Sequence, residues 1–403
     1  MVADNDLFQE LSGDKADQSE LEQVFLAHFG RATGLDEETI TYGGQREQCA
    51  LILKYADGSL TRIVPGPLLT QEDVPALKQK IHEELLTPGP VKIGRQVLFT
   101  ALPVEGSFRY KDVFQIAPVP PDAPRPPYLI GDHPFMLEWR FPASSNGVIH
   151  ILRRTILERE LELLLNALLW LPVRGAGSRA RFHWVLPPME DPTKPTSAFL
   201  QETYAWPGLA LEGDEFLETS HHPLLAEVSP NDYYARHGIS IGEVLDIPAG
   251  LPAMLDHFFA LAREDRDRVL RASYWFQYAS RASDYSRSAA YMALVSAVES
   301  LMPSTEGRSR CETCGQFMGP GPTKMFINFV EQFATGSSIS KADRGRFYAV
   351  RSAITHGARL LHSDRSAWGG SFTPVSLREQ NDMTMMWRIV RATIVNWLAS
   401  RKV

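Results

Sequence analysis

Arg351 and His356 are the residues in this chain whose types and spacing best suit chemistry. They lie in Phe347-Tyr348-Ala349-Val350-Arg351-Ser352-Ala353-Ile354-Thr355-His356-Gly357. Phe347, Val350 and Ile354 fall at i, i+3 and i+7, the spacing of one apolar helix face. Arg351, Ser352, Thr355 and His356 fall largely on the other, and Gly357 stands where a helix would stop. A permanent cation and a titratable imidazole therefore lie within about a turn and a half of each other. Phosphodiester chemistry uses such a pair: imidazole moves protons near neutral pH, and a planar guanidinium matches phosphoryl oxygens. The same spacing also suits a solvated helix end, where cations offset the dipole.

The elements that must hold this segment are helical. After residue 252, residues 253–281, 286–302, 324–333, 341–356 and 377–400 read as five helices, so residues 251–403 form an all-α region. In the second of these, Tyr291, Leu294, Val295, Val298 and Leu301 make one stripe, and Glu299 is the carboxylate inside it. Glu299 either pairs with a nearby arginine at the stripe's polar edge, or faces Arg351 across a helix interface and fixes its fork. Arg344, Arg346, Arg359 and Arg365 cluster around the same helix as a local basic patch. Tyr274, Trp275 and Tyr278 form an aromatic patch that suits core packing or base stacking.

The preceding part reads as α+β. Residues 1–20 are polar and flexible in character, and residues 21–250 form an α+β domain or two smaller ones. Helical spacing covers 21–29, 74–86 and 149–171, the last ended by Pro172. Residues 49–55 and 60–64 read as strands joined by an Asp57-Gly58 hairpin turn. Further strands are expected over 96–102, 113–117, 135–141 and 179–186. Residues 117–127 are proline-dense and read as an extended connector, and 187–250 show no clean period.

Composition narrows the partners. Forty-one Lys and Arg against 48 Asp and Glu give a net charge of −7, so nucleic acid must be met by a local patch. No run reaches the ~18 apolar residues of a membrane span, and residues 1–6 lack the order of a signal peptide. Three cysteines in 403 residues fit a reducing compartment, and the expectation is a cytoplasmic protein away from membranes. Cys311-Glu312-Thr313-Cys314-Gly315 has the spacing of half a zinc site, which His356, His362 or a second copy would complete. An unliganded turn and a redox pair suit that spacing too. His221-His222 is a lone adjacent pair. No Gly-rich phosphate loop, G-x-S-x-G or H-E-x-x-H occurs, which argues against nucleotide-dependent chemistry and zinc hydrolysis.

Tyr291-Met292-Ala293-Leu294-Val295-Ser296-Ala297-Val298-Glu299-Ser300-Leu301 resembles the first-helix pattern of HEPN domains of the Apea-like group. The Tyr348–Gly357 stretch resembles their signature of Arg, a polar residue, three more residues and His. The order matches as well: an apolar helix ending in Glu-x-Leu, an insert, then the Arg…His helix. The resemblance covers about residues 253–400. It implies a helical bundle that forms a homodimer, two Arg…His motifs facing one another as a metal-independent endoribonuclease of toxin or antiviral-defence type. Arg351 and His356 would be catalytic, Ser352 and Glu299 supporting, and Arg344, Arg346, Arg359 and Arg365 would hold RNA. Catalysis would need no cofactor, while Cys311 and Cys314 in the insert would hold a structural zinc. The α+β domain would sense or regulate, through an activating ligand or partner. HEPN folds also serve as non-catalytic dimerisation or ligand-binding modules, which is the alternative.

Overall fold

The computed structural model describes residues 17–44, 48–56, 59–87, 89–125, 133–175, 183–186, 196–199, 206–236, 240, 242–303, 320–334, 339–365 and 373–401. Strands occupy the N-terminal half of the chain and helices predominate in the C-terminal half. The chain divides into two compact units. Met1–Gly94, Trp139–Glu158 and Leu211–Phe216 form one; Arg95–Glu138, Arg159–Ala210 and Leu217–Val403 form the other. Secondary-structure content changes near residue 250, but the compact division falls elsewhere. The helices after 250 share a unit with residues 95–138 and 159–210.

In the first unit, helix α1 (Gln18–Phe29) starts at Asp17, whose carboxylate accepts from the amides of Ser19 and Glu20. Strands β1 (Thr33–Asp36), β2 (Thr39–Tyr42), β3 (Leu51–Ala56) and β4 (Ser59–Pro65) form an antiparallel meander in chain order. β3 and β4 are the predicted hairpin; its turn residues Asp57 and Gly58 lie outside the described residues. Helix α2 (Asp73–Ile81) runs on as a π-helical turn over His82–Leu86. Leu21, Val24, Phe25, Leu51, Leu53, Leu77 and Ile81 pack into one core with Ile149. Gly94 is required by contact: a Cβ there would lie 2.6 Å from the Trp139 indole.

The larger sheet contains β5 (Val91–Thr100), β6 (Phe108–Tyr110), β7 (Phe114–Pro118) and β8 (His133–Pro142), in the order β5-β8-β7-β6. Sequence alternation had indicated three of these four strands; β6 is too short to show a period. Helix α3 (Gly147–Leu168) is capped by Asn146, which accepts from the amides of Val148 and Ile149. α3 ends at Leu168, a turn before the expected stop at Pro172.

Helices α4 (Pro230–Ala235), α5 (Leu251–Ala260), α6 (Arg263–Ala282), α7 (Arg287–Leu301), α8 (Pro322–Phe333), α9 (Lys341–Thr355), α10 (His362–Arg365) and α11 (Pro374–Ala399) follow in the second unit. The single helix expected over 253–281 is two, because Leu261 and Ala262 adopt extended backbone. Neither glycine nor proline marks that break, so periodicity ran through it. Val269, Phe276, Tyr291, Leu294, Val298, Phe326, Phe347, Ile389 and Trp397 are buried among these helices. Among the described residues, no helix is long and apolar enough to cross a membrane.

Candidate functional site

α9 begins at Ser340, whose hydroxyl oxygen accepts from the Asp343 amide at 3.1 Å. Phe347, Tyr348 and Val350 bury its apolar face. The buried Tyr291 hydroxyl on α7 donates to the Phe347 carbonyl at 3.2 Å, and Phe326 on α8 packs its ring 5.1 Å from that of Tyr348. These contacts set the depth and rotation of α9, and with them the direction of Arg351.

Arg351 points back at α7. Its Nη2 donates to Glu299 Oε2 at 3.0 Å, and Tyr348 donates its hydroxyl to Glu299 Oε1 at 3.2 Å. The guanidinium carbon lies 5.6 Å from the centre of the Tyr348 ring. Glu299 combines the two readings: it is a quarter exposed at the edge of the stripe, and the arginine it pairs with is Arg351. Burial, reinforced by the Glu299 charge, pushes the Tyr348 phenol above its ordinary range. Tyr348 therefore remains a donor to Glu299 at neutral pH. Sequence reading missed its role, although Tyr348 precedes Arg351 by three residues, the spacing of one helix face.

His356 is the C-terminal cap of α9 and is exposed. The Gly357 amide donates to the Ile354 carbonyl at 3.0 Å, and Ala358 to Ala353 at 2.9 Å. With Gly357 at φ 69°, this is a Schellman ending, which turns the chain away directly after the imidazole. Ser352 is half-buried one turn before His356, and its carbonyl accepts the His356 amide at 3.1 Å. Arg351 and His356 thus occupy the last turn and a half of one helix, as expected.

The chain beyond Gly357 is tied down on both sides. Asp364 accepts from the amides of Arg287 and Ser288 and from the Ser286 hydroxyl, so it caps α7 from 77 residues away. Burial alone would raise its carboxyl, but the donors on Ser288, Ser286 and Arg287 together hold it below the usual range. Glu379 on α11 accepts from Arg359 and from the His362 amide, both at 2.6 Å.

The expected basic patch is largely neutralised. Arg344 pairs with Glu331 at 3.0 Å, Arg346 with Asp382 at 2.8 Å and with Asp343 at 2.6 Å, and Arg359 with Glu379 at 2.6 Å. Glu331, Asp382 and Glu379 sit on other helices, so counting arginines near α9 overstated the local charge. Arg365 is exposed at the end of α10. A groove of about 350 Å³ beside this cluster is lined by Arg346, Val350, Arg359, Arg378, Glu379 and Asp382, with Pro374 and Val375.

Tyr274 and Tyr278 are each 44% exposed and Trp275 is half-buried, so the aromatic patch lies at the surface. Cys311 and Cys314 lie outside the described residues. Among the described residues, no group of three or more His, Cys, Asp or Glu side chains could hold a metal ion. His221 and His222 have ring centroids 4.0 Å apart on an irregular segment. Compared with protein-family models, curated proteins and solved structures, the chain matches none of them.

Proposed function

We propose that this protein is a HEPN-type, metal-independent endoribonuclease whose site is completed by dimerisation. The observation that carries this reading is the Glu299–Arg351 pair at 3.0 Å, with exposed His356 about a turn and a half further along the same helix. Glu299 and Tyr348 hold the guanidinium from one side; Nε is buried, which leaves the terminal N–H groups not bonded to Glu299 for a phosphate. His356 of one protomer takes the proton of a ribose 2′-hydroxyl, and that oxygen attacks phosphorus. The bond from phosphorus to the 5′-oxygen breaks, leaving a 2′,3′-cyclic phosphate. His356 of the partner subunit protonates the leaving 5′-oxygen. Arg351 stabilises the charge that accumulates on the phosphoryl oxygens in between. Glu299 and Tyr348 act only through Arg351. The zinc expected on Cys311 and Cys314 has no step in this chemistry. In this reading the nuclease acts in the cytoplasm in toxin or antiviral defence, and the α+β region restrains or targets it through a ligand or partner.

Mixed RNA incubated in EDTA with wild type, Arg351→Ala and His356→Ala tests the reading. Cleavage by wild type alone supports it; intact RNA with wild type, or equal cleavage by all three, sinks it.

One observation favours the non-catalytic alternative, a HEPN-type dimerisation or ligand-binding module. Arg344, Arg346 and Arg359 are already bonded to carboxylates, which leaves little free charge to track a polyanion. In that reading the Arg346–Arg378 groove receives a small polar ligand, and His356→Ala alters binding or assembly without any turnover.

A further inference from the structure

α6 carries a surface that the proposed cleavage does not use. Arg271, Tyr274, Tyr278 and Arg281 fall at i, i+3, i+7 and i+10, which places them on one helix face. Val269, Ala272, Phe276 and Ala279 bury the opposite face. The rings of Tyr274 and Tyr278 lie 6.4 Å apart with planes only 19° from parallel. Trp275 supports them edge-on, 5.5 Å from Tyr274 and 5.8 Å from Tyr278.

The charge beside these rings is cationic. Arg281 and Arg159 share the single carboxylate of Glu162, at 3.4 Å and 3.0 Å. Arg271 is exposed and makes no ion pair among the described residues. Asp267, one turn before Arg271, Glu264 a turn further back and Asp284 three residues after Arg281 are the exposed carboxylates near the stripe, each farther from the rings than Arg271 and Arg281 along the chain. Tyrosine and arginine are enriched at protein interfaces too, so composition does not choose the partner and the ring geometry does. Near-parallel aromatic faces flanked by guanidinium groups match unpaired bases and their phosphates.

We propose that the Arg271–Arg281 face of α6 is a stacking platform for single-stranded RNA. The choice of RNA rests on the ribonuclease reading; the restriction to unpaired strands comes from the rings, since a duplex keeps its base faces stacked.

The test uses the full chain and a fluorescein-labelled 2′-O-methyl oligouridine, which lacks the attacking hydroxyl and so separates binding from cleavage. Fluorescence anisotropy should show binding to this strand and weaker binding to a duplex of the same length. Each ring removed should weaken binding about five-fold or more, so Tyr274→Ala with Tyr278→Ala should lose about 25-fold. The Tyr274→Phe, Tyr278→Phe pair should bind like wild type, because the ring and not the hydroxyl stacks. Arg271→Gln and Arg281→Gln should each lower the slope of log affinity against log salt by about 0.7. Undiminished binding by the alanine pair, or no binding by wild type, overturns the proposal. So does a changed sedimentation mass in the alanine pair with RNA affinity intact, which would make the face a protein interface. Ring-dependent binding without cleavage of ordinary RNA would sink the nuclease reading and keep the platform. Cleavage with ring-independent binding would do the reverse.

Discussion

Arg351 and Glu299 meet between α9 and α7 at 3.0 Å, with the second carboxylate oxygen taken by Tyr348. Both side chains are about a quarter exposed, at 25% and 26%, so the pair is worth no more than about 1 kcal/mol to the fold. Its consequence is positional. Glu299→Ala should leave the urea midpoint almost unmoved while lowering RNA cleavage by up to about 100-fold, the cost of a guanidinium misplaced by about 1 Å. Glu299→Gln, which keeps an acceptor oxygen, should lose less. A variant that unfolds early, with its cleavage loss matching the unfolded fraction, would mark Glu299 as structural only.

Removing His356 or Arg351 should be more severe, and it should depend on assembly. Loss of a proton-transferring group costs about 100- to 10,000-fold, and that range is expected for His356→Ala. If the proposed site is shared between two protomers, specific activity of wild type should fall on dilution through the dimer dissociation range. Initial rates against protein concentration, set beside sedimentation data, check this. Constant specific activity in a sample shown to be monomeric would refute the composite site.

Gly357 at φ 69° ends α9 just after His356. A Cβ there would meet nothing within 4 Å, so the objection to a side chain is conformational and not steric. Gly357→Ala should cost about 1 kcal/mol, and Gly357→Asn less, because asparagine tolerates the left-handed region. Thermal unfolding of the two variants decides whether the Schellman turn or some other feature fixes the helix end.

Asp364 gives a pH signature. Its carboxyl is held lower in the folded chain than in the unfolded one by the donors on Ser288, Ser286 and Arg287. A depressed carboxyl contributes stability that is fully present above the unfolded value of about 3.9, and that is lost as pH falls through the folded value. Asp364→Asn should therefore be less stable than wild type at pH 7, by about 1 kcal/mol for a lost helix cap. The gap should close as pH drops below 4. Urea unfolding at pH 7, 4 and 3 reads it; a gap that stays constant or widens in acid would assign the stabilisation elsewhere.

The helices around the candidate site were legible because their apolar stripes are local: Phe347, Val350 and Ile354 on α9 and Tyr291 to Leu301 on α7 declare their faces within a few turns. Gly357 marks the end of α9 by a rule that needs no tertiary knowledge, while its N-cap, Ser340, went unread. What stayed hidden depends on partners far along the chain. Asp364 caps a helix 77 residues earlier, and no sequence window holds both. Glu331, Glu379 and Asp382 neutralise arginines that looked like a basic patch, because charge cancels between helices. The break at Leu261 and Ala262 carries no glycine or proline, and continuous periodicity concealed it. The compact units are equally invisible locally, since each is assembled from three separate stretches of chain.

The network at Glu138 offers a contrast with Glu299. Glu138 is fully buried and accepts from Arg95 Nε at 2.7 Å, Gln115 Nε2 at 2.7 Å and the Leu217 amide at 3.0 Å. The Arg95 side chain is itself only 13% exposed. A charge removed from water this completely is tolerable only while its partners are in place, and so are the partners. Glu138→Ala should therefore destabilise by about 3–5 kcal/mol, several times the effect of Glu299→Ala, although both remove one carboxylate from one arginine. Glu138→Gln should fall between, since it keeps an oxygen acceptor but turns an amide N–H toward existing donors. Urea midpoints at equal m-value measure the order. If Glu138→Ala and Glu299→Ala cost the same, burial is not what separates the structural carboxylate from the positioning one.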